Sequence, residues 1–294
     1  LKNSSRCYAR LLNVILKGSR NLENYVDDII AHDSSTDRHV DTLRDLFQRI
    51  RKANIKLKPS KARIGFQAVE FLGHEVSQGE VKPMKSNIEK VCNIQPPKTK
   101  TGVRALCGAI NFLRKYIPDC AGRLKPITDL TSKTQPEQVK WGPKQQKALD
   151  EVKQLLTTSP VLRLYDQSRQ HVLRTDASDH SIGGVLLEEI DKDLYPVMYV
   201  SRKLLDRESR YPISQKEALA VTWCIGKAYK YLYGCKFKVQ TDCQALTILN
   251  GGPSNNARIL RWQMFLQSFD FTVEIIRGVD NDIADCLSRC EIHP

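Results

Sequence analysis

The stretch His171-Val172-Leu173-Arg174-Thr175-Asp176-Ala177-Ser178, followed by Ile182-Gly183-Gly184-Val185-Leu186-Leu187, constrains this chain more than any other. A β-rich run that ends on a carboxylate, turns through small and polar residues and re-enters as an apolar run reads as two strands joined by a tight turn. Taken alone, an Asp at a strand end is more often a turn-former bonding its own backbone. Three further acids fall in contexts that suit the same place. Glu217 sits in Ser214-Gln215-Lys216-Glu217-Ala218-Leu219-Ala220-Val221, which opens a helix with the stripe Ala218, Val221, Ile225, Ala228, Tyr229 and Leu232. It lies at the edge of that stripe and faces the body of the protein. Asp242 ends the strand Phe237 to Asp242, in which Phe237, Val239 and Thr241 share one face. Asp285 follows another alternating strand, Phe271 to Ile275, and the turn Gly278 to Asn281, and falls in a short helix with Ile283, Ala284 and Leu287.

Each interval between these acids has room for a hairpin, a helix or a crossover that returns the chain to one sheet edge. Clustered carboxylates repel one another and hold protons at neutral pH unless something offsets their charge. Divalent cations do so: Mg²⁺ prefers hard oxygen ligands, and a pair of ions can activate water and stabilise the leaving oxygen of a phosphodiester.

The segments TDASDHSIGGVL, YPISQKEALAV, FKVQTDCQAL and RGVDNDIADCLSR together resemble the ribonuclease H domain of gypsy-type LTR retrotransposon polyproteins, over roughly residues 163 to 290 and in collinear order. The resemblance implies metal ligation by Asp176, Glu217, Asp242 and Asp285, with two Mg²⁺ ions, Mn²⁺ as a substitute, and an RNA–DNA hybrid as substrate. Asp176 with Glu217 or Asp285 is expected on the water-activating side, and Asp176 with Asp242 on the leaving-group side. The chain departs from its relatives in carrying Cys243 where they commonly have His. It also has no His between His180 and His293, where many ribonucleases H place one in a loop before the last Asp, so turnover is expected to suffer.

An earlier acid pair has a different setting. Asn24-Tyr25-Val26-Asp27-Asp28-Ile29-Ile30-Ala31 puts two adjacent acids between apolar dipeptides, as at a hairpin turn. Neighbouring strand residues point to opposite faces, so both acids reach one ion only if a turn holds them. An ordinary Asp-rich turn is the plain alternative. The order that follows is an amphipathic helix with His39, Val40, Leu43, Phe47 and Ile50, then Ile55 to Lys61, then Val69-Glu70-Phe71-Leu72-Gly73-His74. It is similar to the back half of a reverse transcriptase palm from the same polyproteins. That similarity implies metal binding by Asp27 and Asp28, Tyr25 beside primer or template, and Leu72 and Gly73 at the segment that grips the primer end. The fingers and a further metal-binding Asp are expected before residue 1, so the chain by itself is not expected to synthesise DNA.

Residues 81 to 160 read as mainly helical. A helix starts at Lys82-Pro83-Met84, Gln95-Pro96-Pro97-Lys98 breaks it, a second spans Thr101 to Tyr116, and a third spans Pro143 to Thr157. Lys98, Lys100, Arg104, Arg114, Lys115, Arg123 and Lys125 surround the second; a solvated basic face and a thumb contacting nucleic-acid backbone both fit them. GVRALCGAINFLRKYIP resembles the thumb of these elements, which implies backbone contacts by Arg104, Arg114 and Lys115. Arg202, Lys203, Arg207 and Arg210 are further candidates, with a solvated loop as the alternative for each.

The expected organisation is therefore an α/β (α+β) chain. It consists of a partial palm over 1–80, a helical thumb and connector over 81–162, and a ribonuclease H domain over 163–294 with a mixed five-stranded sheet flanked by helices. The net charge of +13 favours a polyanionic partner. Nine cysteines without zinc-type spacing read as reduced thiols of an intracellular protein. No apolar run reaches the roughly 18 residues a membrane span needs. Expected partners are primer-template and hybrid nucleic acid, a second copy of the chain, or other products of the same polyprotein. The resemblance places it in cytoplasmic virus-like particles and the nucleus. Leu1 in place of Met suggests a fragment or a processed product. A remnant that binds without cleaving, and a non-catalytic structural subunit, stand as alternatives to the nuclease.

Overall fold

Alternation along the chain decides which faces are buried, and the computed structural model describes residues 3–19, 21–158, 161–242 and 256–276. Two compact units result, Leu1–Gln78 and Gly79–Pro294.

In the first unit, helix α1 (Ser4–Ile15) precedes strands β1 (Leu22–Tyr25) and β2 (Asp28–Ala31), which pair antiparallel with Tyr25 opposite Asp28. That register leaves Val26 and Asp27 as a two-residue turn, and Val26 takes a φ of 56°. Helix α2 (Thr36–Lys52) starts where the Ser35 side chain accepts from the Arg38 N–H, which satisfies one of the donors that a helix start leaves without a partner. Leu12, Leu16, Leu22, Leu46 and Ile50 close a small core between these elements. Strands β3 (Val69–Phe71) and β4 (His74–Ser77) form a second hairpin. Its turn residues Leu72 and Gly73 have φ of 51° and 77°, the pattern of the turns that suit twisted hairpins.

The second unit begins with strand β5 (Glu80–Pro83), where the sequence suggested a helix start at Lys82. Pro83 closes the strand because its ring removes a ladder donor, and helix α3 (Lys85–Cys92) follows. Helix α4 (Lys100–Phe112) is capped by Thr99, which accepts from the Gly102 N–H. The expected helix to Tyr116 stops early, as the chain tightens into a single turn at Arg114–Tyr116 that buries Tyr116. Short helices α5 (Cys120–Arg123) and α6 (Lys125–Thr128) lead to α7 (Pro143–Thr157), whose bounds match the sequence expectation. Strand β6 (Leu162–Arg163) pairs with β5.

The five-stranded sheet is mixed, as expected. It comprises β7 (His171–Ala177), β8 (Ser181–Ile190), β9 (Asp193–Lys203), β10 (Lys236–Thr241) and β11 (Asp270–Ile275), in the order β11-β10-β7-β8-β9. Neighbours β7, β8 and β9 run antiparallel, while β10 lies parallel to both β7 and β11. Period-two alternation sorts its residues onto two cores. Val172, Val185, Leu187 and Tyr199 join Leu106, Ile110, Tyr116, Ile117, Leu149 and Val152 of the helical segment. Leu173, Leu186, Phe237 and Val239 face the other way, against α9 (Ile213–Lys227) and α11 (Ala257–Leu266), where they meet Val221, Cys224, Ile225 and Leu266. Gly184 is required where α9 crosses the sheet: a Cβ there would stand 2.6 Å from the Arg174 carbonyl and 3.0 Å from Cys224 Sγ. Tyr229, expected on the buried stripe, is 46% exposed because the helix breaks at Ala228 before α10 (Tyr229–Leu232) resumes.

Candidate functional site

Asp176 stands opposite Gly183 near the end of β7. Glu217 comes from the second turn of α9 and is 5% exposed. Asp242 follows the last residue of β10, the strand lying next to β7, and remains exposed. Strand pairing and helix packing thus bring three of the four expected acids to one edge of the sheet. Asp285, with Cys243 and the stretch proposed to hold the last motif, lies outside the described residues.

The three acids feel one another. Burial and then the charges of Asp176 and Asp242 push the Glu217 carboxyl up to about 8. Asp176 keeps part of its side chain at the surface, yet protein crowding its carboxyl, then Asp242 and Asp119, raise it above the usual carboxylate range. The Ala177 N–H bonds to both Asp176 and Glu217 and partly offsets these effects. Glu217 Oε2 is buried without a hydrogen-bond partner, the condition that burial of a polar atom ordinarily excludes. Among the described residues no three His, Cys, Asp or Glu side chains close around one metal position. The donor set nevertheless suits a hard cation: the described carboxylates offer only oxygen, they repel one another, and one buried oxygen lacks a donor.

The earlier pair behaves differently. Asp27 occupies the β1–β2 turn and Asp28 the first position of β2, both exposed, with Tyr25 at 58% exposure beside them. The turn expected from the doublet is present. Leu72 is exposed at the tip of the β3–β4 hairpin next to Gly73.

The basic candidates divide into free and committed side chains. Arg104 is exposed on α4. Arg114 instead donates to the Ser201 carbonyl, Lys203 pairs with Asp129 at 2.7 Å, and Arg202 holds Glu208 through two nitrogens while lying over the Trp223 ring. Strand β9, unmarked in the sequence, sets Lys203 against Asp129 of the helical segment and Arg202 against Glu208 of α8 (Asp206–Ser209), while Arg114 reaches β9 from the turn after α4. Lys115 rests over the Tyr116 ring, and burial, with Lys230 nearby, lowers it to about 8.

Asp119 is the residue that sequence reasoning missed. It precedes α5 with a left-handed φ of 39°, accepts from the Gly122 N–H, and receives the Ser181 hydroxyl at 3.1 Å beside the Asp176 strand end. A lone Asp after Pro118 gives no periodic or spacing signal, and only the packing of the helical segment onto the sheet reveals its position.

A family model described as reverse transcriptase (RNA-dependent DNA polymerase) matches residues 1–76, and one described as RNase H-like domain found in reverse transcriptase matches residues 141–239. The transposon Tf2-3 polyprotein of Schizosaccharomyces pombe is 37% identical over 270 residues, covering 90% of this chain, and Tf2-7 of the same organism is 36% identical over the same span. The chain spans about a fifth of the length of these relatives. Among solved structures, a foamy viral protease-reverse transcriptase in complex with double-stranded DNA aligns with a TM-score of 0.82 at 20% identity, over 95% of this chain and 59% of that one. The same viral protein in complex with an RNA/DNA hybrid aligns at 0.77 and 20% identity, over 92% of this chain and 37% of that one. At this identity the likeness speaks for the fold. The chain thus carries a reverse transcriptase segment and an RNase H-like domain, and over most of its length it is similar to retrotransposon polyproteins.

Proposed function

We propose that the second unit hydrolyses the RNA strand of RNA–DNA hybrids, with Asp176, Glu217, Asp242 and Asp285 as the acids of the site. The observation that carries the reading is Glu217: a buried carboxylate with an oxygen lacking a partner, set against two further acids at a strand edge. Such an arrangement costs stability, and ligand binding at functional sites is what commonly offsets such costs. Two Mg²⁺ ions, or Mn²⁺, held by these oxygens would supply water activation and stabilisation of the leaving 3′ oxygen. Asp176, shared between the strand end and the turn, would orient the scissile phosphate. Glu217 would hold or release a proton at Oε2 according to the charge beside it. Asp242 would stay open to solvent at the side where substrate enters.

Asp27, Asp28 and Tyr25, with Leu72 and Gly73, would in the same way form the metal and primer-template side of a polymerase centre in the first unit. Arg104 is the basic candidate best placed for backbone contact, because Arg114, Arg202 and Lys203 already have partners within the protein. The hybrid and double-stranded partners of the viral relatives support nucleic acid as the ligand class, as does the net charge. Cleavage of a labelled hybrid in Mg²⁺ and in Mn²⁺, with Asp176→Asn alongside, tests the reading. Cleavage lost in the variant is the expected result. Hybrid binding without cleavage in either metal would leave a nucleic-acid-binding segment instead.

A further inference from the structure

Asp176 is the last but one residue of β7, so its side chain is only as well placed as the turn that follows it. That turn is closed locally: the Ser178 N–H donates to the Ser181 carbonyl at 2.8 Å, and Ser178 Oγ receives the Ser181 N–H at 2.9 Å. Two bonds then tie it to elements on opposite faces of the sheet. From the helical segment, Asp119 accepts from Ser181 Oγ at 3.1 Å. From α9, Lys216 donates to Asp179 at 2.9 Å, although its own side chain is buried. Lys216 immediately precedes Glu217, so the second bond links the two acids through Ala177, Ser178 and Asp179 on one side and Lys216 on the other.

The first bond is held at a cost. Asp119 adopts a left-handed backbone rare outside glycine, buries a carboxylate, and needs Gly122, since a Cβ at 122 would run into that carboxylate. Helix capping alone does not require the Ser181 contact. We propose that Asp119 and Lys216 are positioning residues of the nuclease centre, clamping the turn after Asp176 so that Asp176 and Glu217 present their oxygens to one cation position. This rests on the nuclease reading above.

A group that orients a metal ligand from behind is worth about 10–100-fold in metal affinity when removed. Ser181→Ala deletes one hydroxyl and breaks the Asp119 bond without altering any acid. Lys216→Met breaks the other bond, and Asp119→Asn adds the loss of a charge that attracts cations. Mn²⁺ titration by calorimetry on the full chain is expected to show about tenfold weaker binding in Ser181→Ala and Lys216→Met, with Ser181→Thr restoring the wild-type value. Urea unfolding of each variant, run first, selects those that fold, and Ser181→Ala is the variant least able to fail. Affinity within about twofold of wild type in both Ser181→Ala and Lys216→Met would overturn the clamp. If wild type shows no Mn²⁺ site that Asp176→Asn removes, the nuclease reading fails first and takes the clamp with it.

Discussion

Replacing Glu217 by Gln should make the metal-free protein more stable at neutral pH, and the size of the effect follows from the site. A carboxyl held near 8 in the fold and at the ordinary 4.5 when unfolded binds its proton more tightly in the native state. Its contribution is therefore full below pH 4.5 and is lost as the pH rises toward 8. At pH 7 the wild-type penalty is about 3 kcal/mol, taking about 1.36 kcal/mol for each pH unit above the unfolded value. Gln keeps an oxygen for the Ala177 N–H and carries no charge, so it escapes that penalty. Urea unfolding in EDTA should then show Glu217→Gln above wild type by about 2–3 kcal/mol at pH 7 and equal to it near pH 4.5. Adding Mg²⁺ should raise wild type and leave the variant unmoved, narrowing or reversing the gap. A variant no more stable than wild type in EDTA at pH 7, or a gap that does not shrink on acidification, would refute the electrostatic account of the site.

Other substitutions test the scaffold that holds it. Gly184→Ala forces a methyl against the Arg174 carbonyl and Cys224, and should cost about 1–3 kcal/mol in urea unfolding. Leu149→Ala, at a fully buried position of the core shared by helices and sheet, should cost about 2–5 kcal/mol. Far-UV dichroism and tryptophan fluorescence should then report one common transition for the second unit. Arg202→Met strips the buried Glu208 of its cationic partner, leaving it the Leu205 N–H, and should cost about 2–3 kcal/mol, with hybrid affinity at fixed salt nearly unchanged.

Much of the sheet was legible because its signals are local. Alternation in Phe237-Val239-Thr241 and Phe271-Val273-Ile275, and the turn residues after Asp176, fix strand type without knowledge of neighbours. Glu217 was legible for the same reason, as a charge on the edge of a helical stripe. What the sequence hid depends on long-range packing. Strand β9 alternates only weakly, with Pro196 inside it, so Arg202 and Lys203 read as loop cations when they are partners of Glu208 and Asp129. Asp119 had no pattern at all, since its meaning comes from Ser181, far along the chain. The break after Phe112 was likewise invisible, because Tyr116 is drawn inward by the sheet's apolar face rather than by any helix-stopping residue.

The core joining Leu106, Ile110, Leu149 and Val152 to Val172, Val185, Leu187 and Tyr199 bears on how the protein can be cut. A piece started at residue 163 would enter solution with that side of its sheet stripped bare, inviting self-association in place of catalysis. Expression beginning at Gly79 keeps the helices that cover it, and makes a piece on which the acids are worth assaying.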